Sequence, residues 1–321
     1  MNNNYNGLIN IYKEPGFTSN DVVAKLRGIL KMRKIGHTGT LDPDAVGVLV
    51  CCLGSGTSLV EELTDHTKEY IAVCRLGLTT DTQDMSGNIL SKWEGAIPSA
   101  EEVMAAAAAF VGPYEQMPPM YSALKVGGRK LYELAREGVE VERKARLVNI
   151  DSITILDMSK LESDHEFTME VRCSKGTYIR TLCNDIGERL GCGAAMAHLT
   201  RTAVGSFHLD TAIPLSRVEE LRDAGELDTA ILPIEDFFRD LDVVHIREGA
   251  RKGLLNGNPF KIRDIADEEP LNAGDHTDKA DMYEDGSRVR VYDDLGDFVG
   301  IYRYNSKTGN FRVDKFLYNS K

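Results

Sequence analysis

The sequence predicts an α+β protein. A mixed, largely antiparallel central sheet flanked by helices is expected over residues 1–241, and a small β-barrel-like domain over residues 242–321. Three observations lead there. Strand-like and helix-like stretches follow one another without the regular alternation that builds a parallel sheet. Apolar residues make up 42% of the 321, enough for a substantial core. Near residue 240 the pattern changes to short strand-like runs separated by turn-rich and acidic stretches.

Residues 7–12 alternate like a short strand, and Lys13-Glu-Pro-Gly16 reads as a turn. Thr18, Ser19 and Asn20 offer capping oxygens to a helix whose apolar positions are Val22, Val23, Leu26, Ile29 and Leu30. Residues 69–76 form a strand, and Leu78–Gly87 a polar loop. Ser99 with Glu102 makes a capping box for a helix reaching Phe110. Prolines exclude a helix at the start of 116–130; Leu131, Leu134 and Ala135 then support one that stops at Gly138.

Residues 147–156 and 167–173 alternate as two strands. A helix opens at 175–180 and ends at Gly191; residues 203–209 are another strand, and Ser216 with Glu219 a further capping box. In the last part, 242–245, 288–292, 298–304 and 311–316 read as strands and 253–259 as turns. The acidic stretch 264–286 reads as a solvated loop or hairpin tip.

No apolar run reaches the ~18–20 residues of a membrane span. The N-terminal residues have neither a basic nor an apolar signal region, so a cytoplasmic protein is expected. The six cysteines form no C-x-x-C pair, which disfavours a zinc knuckle and suits buried free thiols. The net charge of −12 argues against a polyanionic partner, but the charge is uneven. Residues 24–34 carry five basic residues and no acid, while 125–146 hold Lys125, Arg129, Lys130, Arg136, Arg143, Lys144 and Arg146. Local patches of this kind steer a polyanion whatever the total.

The stretch 33–49 places one carboxylate, Asp42, in a loop rich in glycine and threonine. Pro43 biases Asp42 towards an extended backbone. An Asp before Pro is commonly a turn former. A phosphate loop of the P-loop type would lack its lysine and its magnesium-binding hydroxyl, because no Gly-Lys-Ser/Thr follows the glycines. A third reading is a nucleophile or base presented on a braced loop. Tyr70 opens a strand just after Lys68, Arg180 stands at a helix start, and His198-Leu-Thr-Arg201 precedes a strand after a Gly/Ala-rich turn. Taken singly, each has an ordinary structural explanation.

Together these segments resemble the TruB-type tRNA pseudouridine-55 synthases. Gly36-His-Thr-Gly-Thr-Leu-Asp-Pro43 is similar to that family's catalytic motif, Lys68-Glu-Tyr70 to its K-x-Y element, and Gly176-Thr-Tyr-Ile-Arg-Thr-Leu182 to its arginine motif. His198-Leu-Thr-Arg-Thr202, Gln116-x-Pro-Pro-x-Tyr-Ser-Ala-Leu-Lys125 and Tyr132-x-x-Ala-Arg-x-Gly138 also look like family segments. The likeness runs from about residue 7 to residue 210. The usual Lys-Pro-x-Gly reads Lys13-Glu-Pro-Gly16 here.

The resemblance implies a pseudouridine synthase fold with a PUA-like RNA-binding barrel after residue 242. It implies isomerisation of uridine 55 in the T-arm of tRNA, with Asp42, Tyr70 and Arg180 as active-site residues. Lys13, Gly36, His37, Thr38, Lys68, Tyr178, His198, Leu199 and Arg201 are expected to meet the RNA, and Lys125 and Arg129 to hold its backbone. No cofactor or metal is needed, because the reaction has no redox step. A monomer with tRNA as its partner is expected, and no membrane. Two other readings compete: a tRNA-binding or tRNA-folding module without catalysis, and a nucleotide-binding enzyme using the glycine loop.

Overall fold

The computed structural model describes residues 5–139, 141–266 and 283–318. Most of the acidic stretch expected to be a solvated loop, 267–282, lies outside the described residues. The centre is a large sheet. Its strands run in the order Ile231–Leu232, Gly7–Lys13, Val46–Leu53, Ala194–Val204, Lys68–Leu76, Glu166–Cys173, Arg146–Asp157 and Gly112–Gln116. Within that order only Val46–Leu53 and Ala194–Val204 run parallel; the rest of the ladder is antiparallel, as expected.

Helices cover the sheet where apolar spacing requires it. Ser19–Leu30 begins at the expected cap: Thr18 Oγ1 accepts from the Asp21 N–H at 3.1 Å, and the Asp21 carboxylate accepts from the Thr18 N–H at 2.9 Å. Its Val22, Leu26 and Leu30 pack with Leu215, Val218 and Leu221 of the Leu215–Ala224 helix against Ile9, Ile11 and Leu49. The Ser99–Glu102 box also forms, at the start of Ala100–Ala108. That helix and Ile179–Leu190 share a second core with Ala72, Phe167, Met169 and Val171. All six cysteines are free and buried.

Four local expectations need correction. Leu78–Gly87 is not wholly loop: Leu78–Thr80 pairs with Ile89–Lys92 as a hairpin. The strand expected at 203–209 is Ala194–Val204, so the Gly/Ala-rich stretch before His198 is mostly strand. The chain turns at Gly205 and comes back as Phe207–His208. Small alanines belong there because the strand lies hard against the neighbouring helix; a Cβ on Gly187 would stand 2.1 Å from the Ala194 nitrogen. No capping box forms at Ser216, because Pro214 takes the cap position with φ −70° and ψ 160° and leaves Ser216 inside the helix. The Glu248–Leu254 helix takes the first residues of the expected turn stretch 253–259.

The last part is a curled five-stranded sheet in the order Asp242–His245, Arg288–Tyr292, Phe298–Asn305, Asn310–Phe316, Phe260–Lys261. A bridge between Ile246 and Ile265 draws its two edges together, giving the barrel-like form. Phe260, Tyr302 and Phe311 fill its interior. It is seated on the large sheet: Ile301 and Leu317 pack with Leu8, Val48 and Val50, and Arg288 meets Glu62 at 2.9 Å. No helix among the described residues is long and apolar enough to cross a membrane.

Candidate active site

The Asp42 loop leaves the short strand Ile35–His37 and re-enters the sheet at Val46. It is pinned from two sides. Lys13, fully buried, sends its ammonium to the carbonyls of Glu14, Pro43 and Ala45 at 3.1, 2.9 and 2.6 Å. Arg201, 1% exposed, donates to the carbonyls of Val48, Gly39 and Thr40 at 2.7, 3.3 and 3.5 Å. Ser19 Oγ accepts from the Leu41 N–H at 2.9 Å. Gly47, at φ +105°, has no room for a side chain, since a Cβ would stand 2.2 Å from the Arg201 carbonyl oxygen.

The loop presents Asp42 with 37% of its side-chain surface open. Arg180, at 7%, is almost covered and lies between two carboxylates: Asp42 at 3.3 Å and Asp84 at 3.5 Å. It also donates to the Tyr121 carbonyl at 2.7 Å. A cation in the first helical turn gains nothing from the helix dipole; here the two carboxylates supply the compensation. Burial pushes the Asp42 carboxyl above its ordinary value, Arg180 pulls it down, and Asp84 adds to the rise. A carboxylate so placed is ready to gain a proton or to react with an electron-poor centre.

Tyr70 is buried beside this pair, opposite Arg201 in the ladder. Burial raises its hydroxyl pKa, and the Arg201 guanidinium acts the other way. Leu199, 9% exposed, shares its core with Tyr70 and Leu41. Tyr178 immediately precedes the arginine helix, its ring 6.0 Å from the Arg180 guanidinium. His37 is half-buried at the loop's entrance; its Nδ1 accepts from the Gly39 N–H at 3.3 Å, and burial, reinforced by Arg201, lowers its pKa.

Several residues expected to meet RNA do not face solvent. Lys13 and Arg201 brace the Asp42 loop instead. Lys68, 5% exposed, donates to the carbonyls of Thr64 and His66. Thr38 is 1% exposed, and its N–H and C=O bond to Val50 and Thr64. Leu199 lies in the core. The physical reason is common to all: these groups bond inward or pack inward, and a phosphate cannot reach them without opening the sheet. Gly36 is half-buried in a strand. His198, Lys125 and Arg129 are exposed, the latter two on the hairpin Lys125–Val126/Arg129–Lys130.

Asp84 and Tyr121 went unread in the sequence. Asp84 lies in Asp-Thr-Gln-Asp-Met-Ser-Gly, where Thr82 Oγ1 donates to its carboxylate at 2.7 Å and the Ser86 N–H at 3.0 Å. That loop is docked: Met196 and Gln83 bond through their backbones, and Thr181 Oγ1 bonds Gln83 Oε1 at 2.7 Å. The density of Asp, Thr and Ser is a signal of a shaped turn, but not of its destination. Among the described residues, no group of three or more His, Cys, Asp or Glu is arranged to hold a metal ion.

Residues 27–179 match the family model for the TruB family pseudouridylate synthase N-terminal domain, and residues 180–239 match that for the tRNA pseudouridylate synthase B C-terminal domain. The chain is 46% identical to the tRNA pseudouridine synthase B of Lachnoclostridium phytofermentans, over 97% of this chain and 99% of that one. It is 47% identical to the tRNA pseudouridine synthase B of Alkaliphilus oremlandii, over 97% of each. Among solved structures, the crystal structure of a Cbf5-Nop10-Gar1 complex contains a chain of similar fold. The TM-score is 0.67 and the identity 26%, over 97% of this chain and 85% of that one.

Proposed function

The chain belongs to the TruB family of pseudouridylate synthases, RNA-modifying isomerases, and we propose that it converts uridine 55 in the T-arm of tRNA to pseudouridine with Asp42 as its essential carboxylate. The observation that carries this reading is the Asp42–Arg180 pair: an open carboxylate, 3.3 Å from a covered guanidinium, on a loop braced by two buried cations.

The reaction breaks the N1–C1′ bond, turns the freed uracil and joins C5 to C1′. The proton on C5 is lost and N1 gains one, so nothing is oxidised or reduced. Asp42 either attacks the sugar or base or assists the proton removal, and Arg180 keeps it ionised and aimed. The Tyr70 ring, beside Leu199, offers a face on which the extruded uracil stacks. A uridine inside a folded arm must leave its stack to reach this depth. His37, half-buried at the entrance, fills the space it vacates. Lys125 and Arg129 hold the RNA backbone. Residues 1–241 act as the catalytic unit, with 242–321 as an accessory RNA-binding unit.

The test is incubation of the pure protein with unmodified tRNA, followed by a pseudouridine-selective chemical tag read by mass spectrometry. Product at position 55 supports the reading. Product elsewhere overturns the position, and tRNA bound but never modified leaves a binding module.

A further inference from the structure

The segment Gln116-x-Pro-Pro-x-Tyr-Ser122 has no part in the chemistry above. Gln116 is the last residue of the edge strand Gly112–Gln116 and faces Arg146 across the ladder. Between those two residues the chain leaves the sheet for the excursion 117–145, which carries Lys125 and Arg129. Gln116 stands at its root.

Gln116 is 1% exposed, and both ends of its side-chain amide are engaged. Its Nε2 donates to the Tyr178 carbonyl at 2.9 Å, and its Oε1 accepts from the Tyr178 N–H at 2.7 Å. One primary amide thus closes both backbone groups of one residue, as a neighbouring strand does. Tyr178 immediately precedes the helix Ile179–Leu190, has no side-chain cap of its own, and lies two residues before Arg180. The edge strand and this segment each touch the helix once more. The Tyr114 hydroxyl donates to Asp185, and the Tyr121 carbonyl accepts from Arg180 at 2.7 Å.

We propose that Gln116 is a positioning residue for Arg180: its amide clamp on the Tyr178 backbone sets where the guanidinium meets Asp42, and ties that geometry to the root of the basic excursion. The proposal rests on the reading of Asp42 and Arg180 as the reactive pair. A small displacement of a reacting group lowers a rate far more than it lowers binding. A glutamine that merely satisfies buried backbone groups has no such selectivity; its loss weakens the fold and every function together.

Three variants and two readouts separate these cases. Gln116→Leu removes both bonds. Turnover of unmodified tRNA is expected to fall by about a hundredfold, with tRNA affinity by fluorescence anisotropy within about twofold of wild type. Gln116→Glu keeps the acceptor for the Tyr178 N–H but turns an oxygen towards the Tyr178 carbonyl until it is protonated. Its rate, divided by the wild-type rate at each pH, is expected to recover as the pH falls, while that of Gln116→Leu does not. Combined with Arg180→Lys, Gln116→Leu is expected to cost much less than the product of the two single losses, since both act through one guanidinium.

Wild-type turnover in Gln116→Leu, full additivity with Arg180→Lys, or equal losses of turnover and affinity without acid recovery in Gln116→Glu would overturn the proposal. Hydrogen exchange at the Tyr178 amide reads the clamp without any reaction. If the wild type modifies no RNA, the functional reading fails, and the clamp is still judged by that amide: faster exchange in Gln116→Leu supports it, and unchanged exchange ends it.

Discussion

Arg180 stands 3.3 Å from Asp42 across a separation of 138 residues, and its other amino group reaches Asp84 at 3.5 Å. One guanidinium between two carboxylates means that each substitution here changes the environment of the remaining charges, and the consequences are measurable.

Asp42→Asn is expected to reduce pseudouridine formation by roughly 10⁴-fold or more while tRNA affinity stays near wild type. The same variant is expected to melt higher. Burial raises the folded-state pKa of Asp42 above its unfolded value, so the ionised carboxylate costs stability at neutral pH. That cost vanishes as the pH falls through the folded value, and the amide abolishes it at every pH. A higher Tm is therefore expected at pH 7, and no difference from wild type in strong acid. Equal melting at both pH values would contradict the assignment.

Arg180→Met is expected to lower turnover about 10²–10³-fold with the fold intact. It also removes the main influence that holds the Asp42 pKa down, leaving Asp84 to push it up. The acid limb of the pH–rate profile is therefore expected to move to higher pH. A limb left in place would separate Arg180 from Asp42.

Lys13 is expected to give the pH–rate profile an alkaline limb. Burial lowers its pKa from 10.5 to about 8, against the pull of Asp44 and Asp42. Because the folded value lies below the unfolded one, the buried charge costs stability below about pH 8, and the cost is relieved as the pH rises towards 10.5. Activity moves the opposite way. The neutral amine has two N–H groups for three carbonyls, so the Pro43–Ala45 backbone loses a tether. Lys68 is also lowered to about 8 but serves two carbonyls, which its neutral form still satisfies. The rate is expected to decline above about pH 8. Lys13→Met should be slower and flat across that range, and a retained limb in it would count against the assignment.

Arg201→Met leaves the Gly39, Thr40 and Val48 carbonyls without their donor. A cost of about 1–3 kcal/mol is expected, read as a lower urea midpoint at unchanged slope. If Arg201 contacted RNA instead, tRNA affinity would fall and the midpoint would hold.

Much of the architecture was legible because it is local. Ser99 and Glu102 are three apart, the cap oxygens offered at 18–20 stand directly at their helix, and alternation in 69–76 and 167–173 needs no distant partner. The misreadings came where packing overrode composition. Alanines 194 and 195 read as turn but fill a tight sheet position, and Ser216 reads as a cap that Pro214 takes first.

The sequence by itself determined the order of most elements and the family motifs, and it singled out Asp42 as the proposed reactive acid. Each of these is written in residue type and spacing along the chain. Only the tertiary structure decided what the cations do. Lys13, Lys68 and Arg201 look like RNA contacts in their motifs, yet they are buried and bond backbone carbonyls. Only the tertiary structure brought Asp84 and Gln116 to the arginine helix. The reason is that burial and charge pairing depend on which surfaces the sheet brings together. Residues 62 to 138 positions apart meet here, and spacing along the chain carries no record of that.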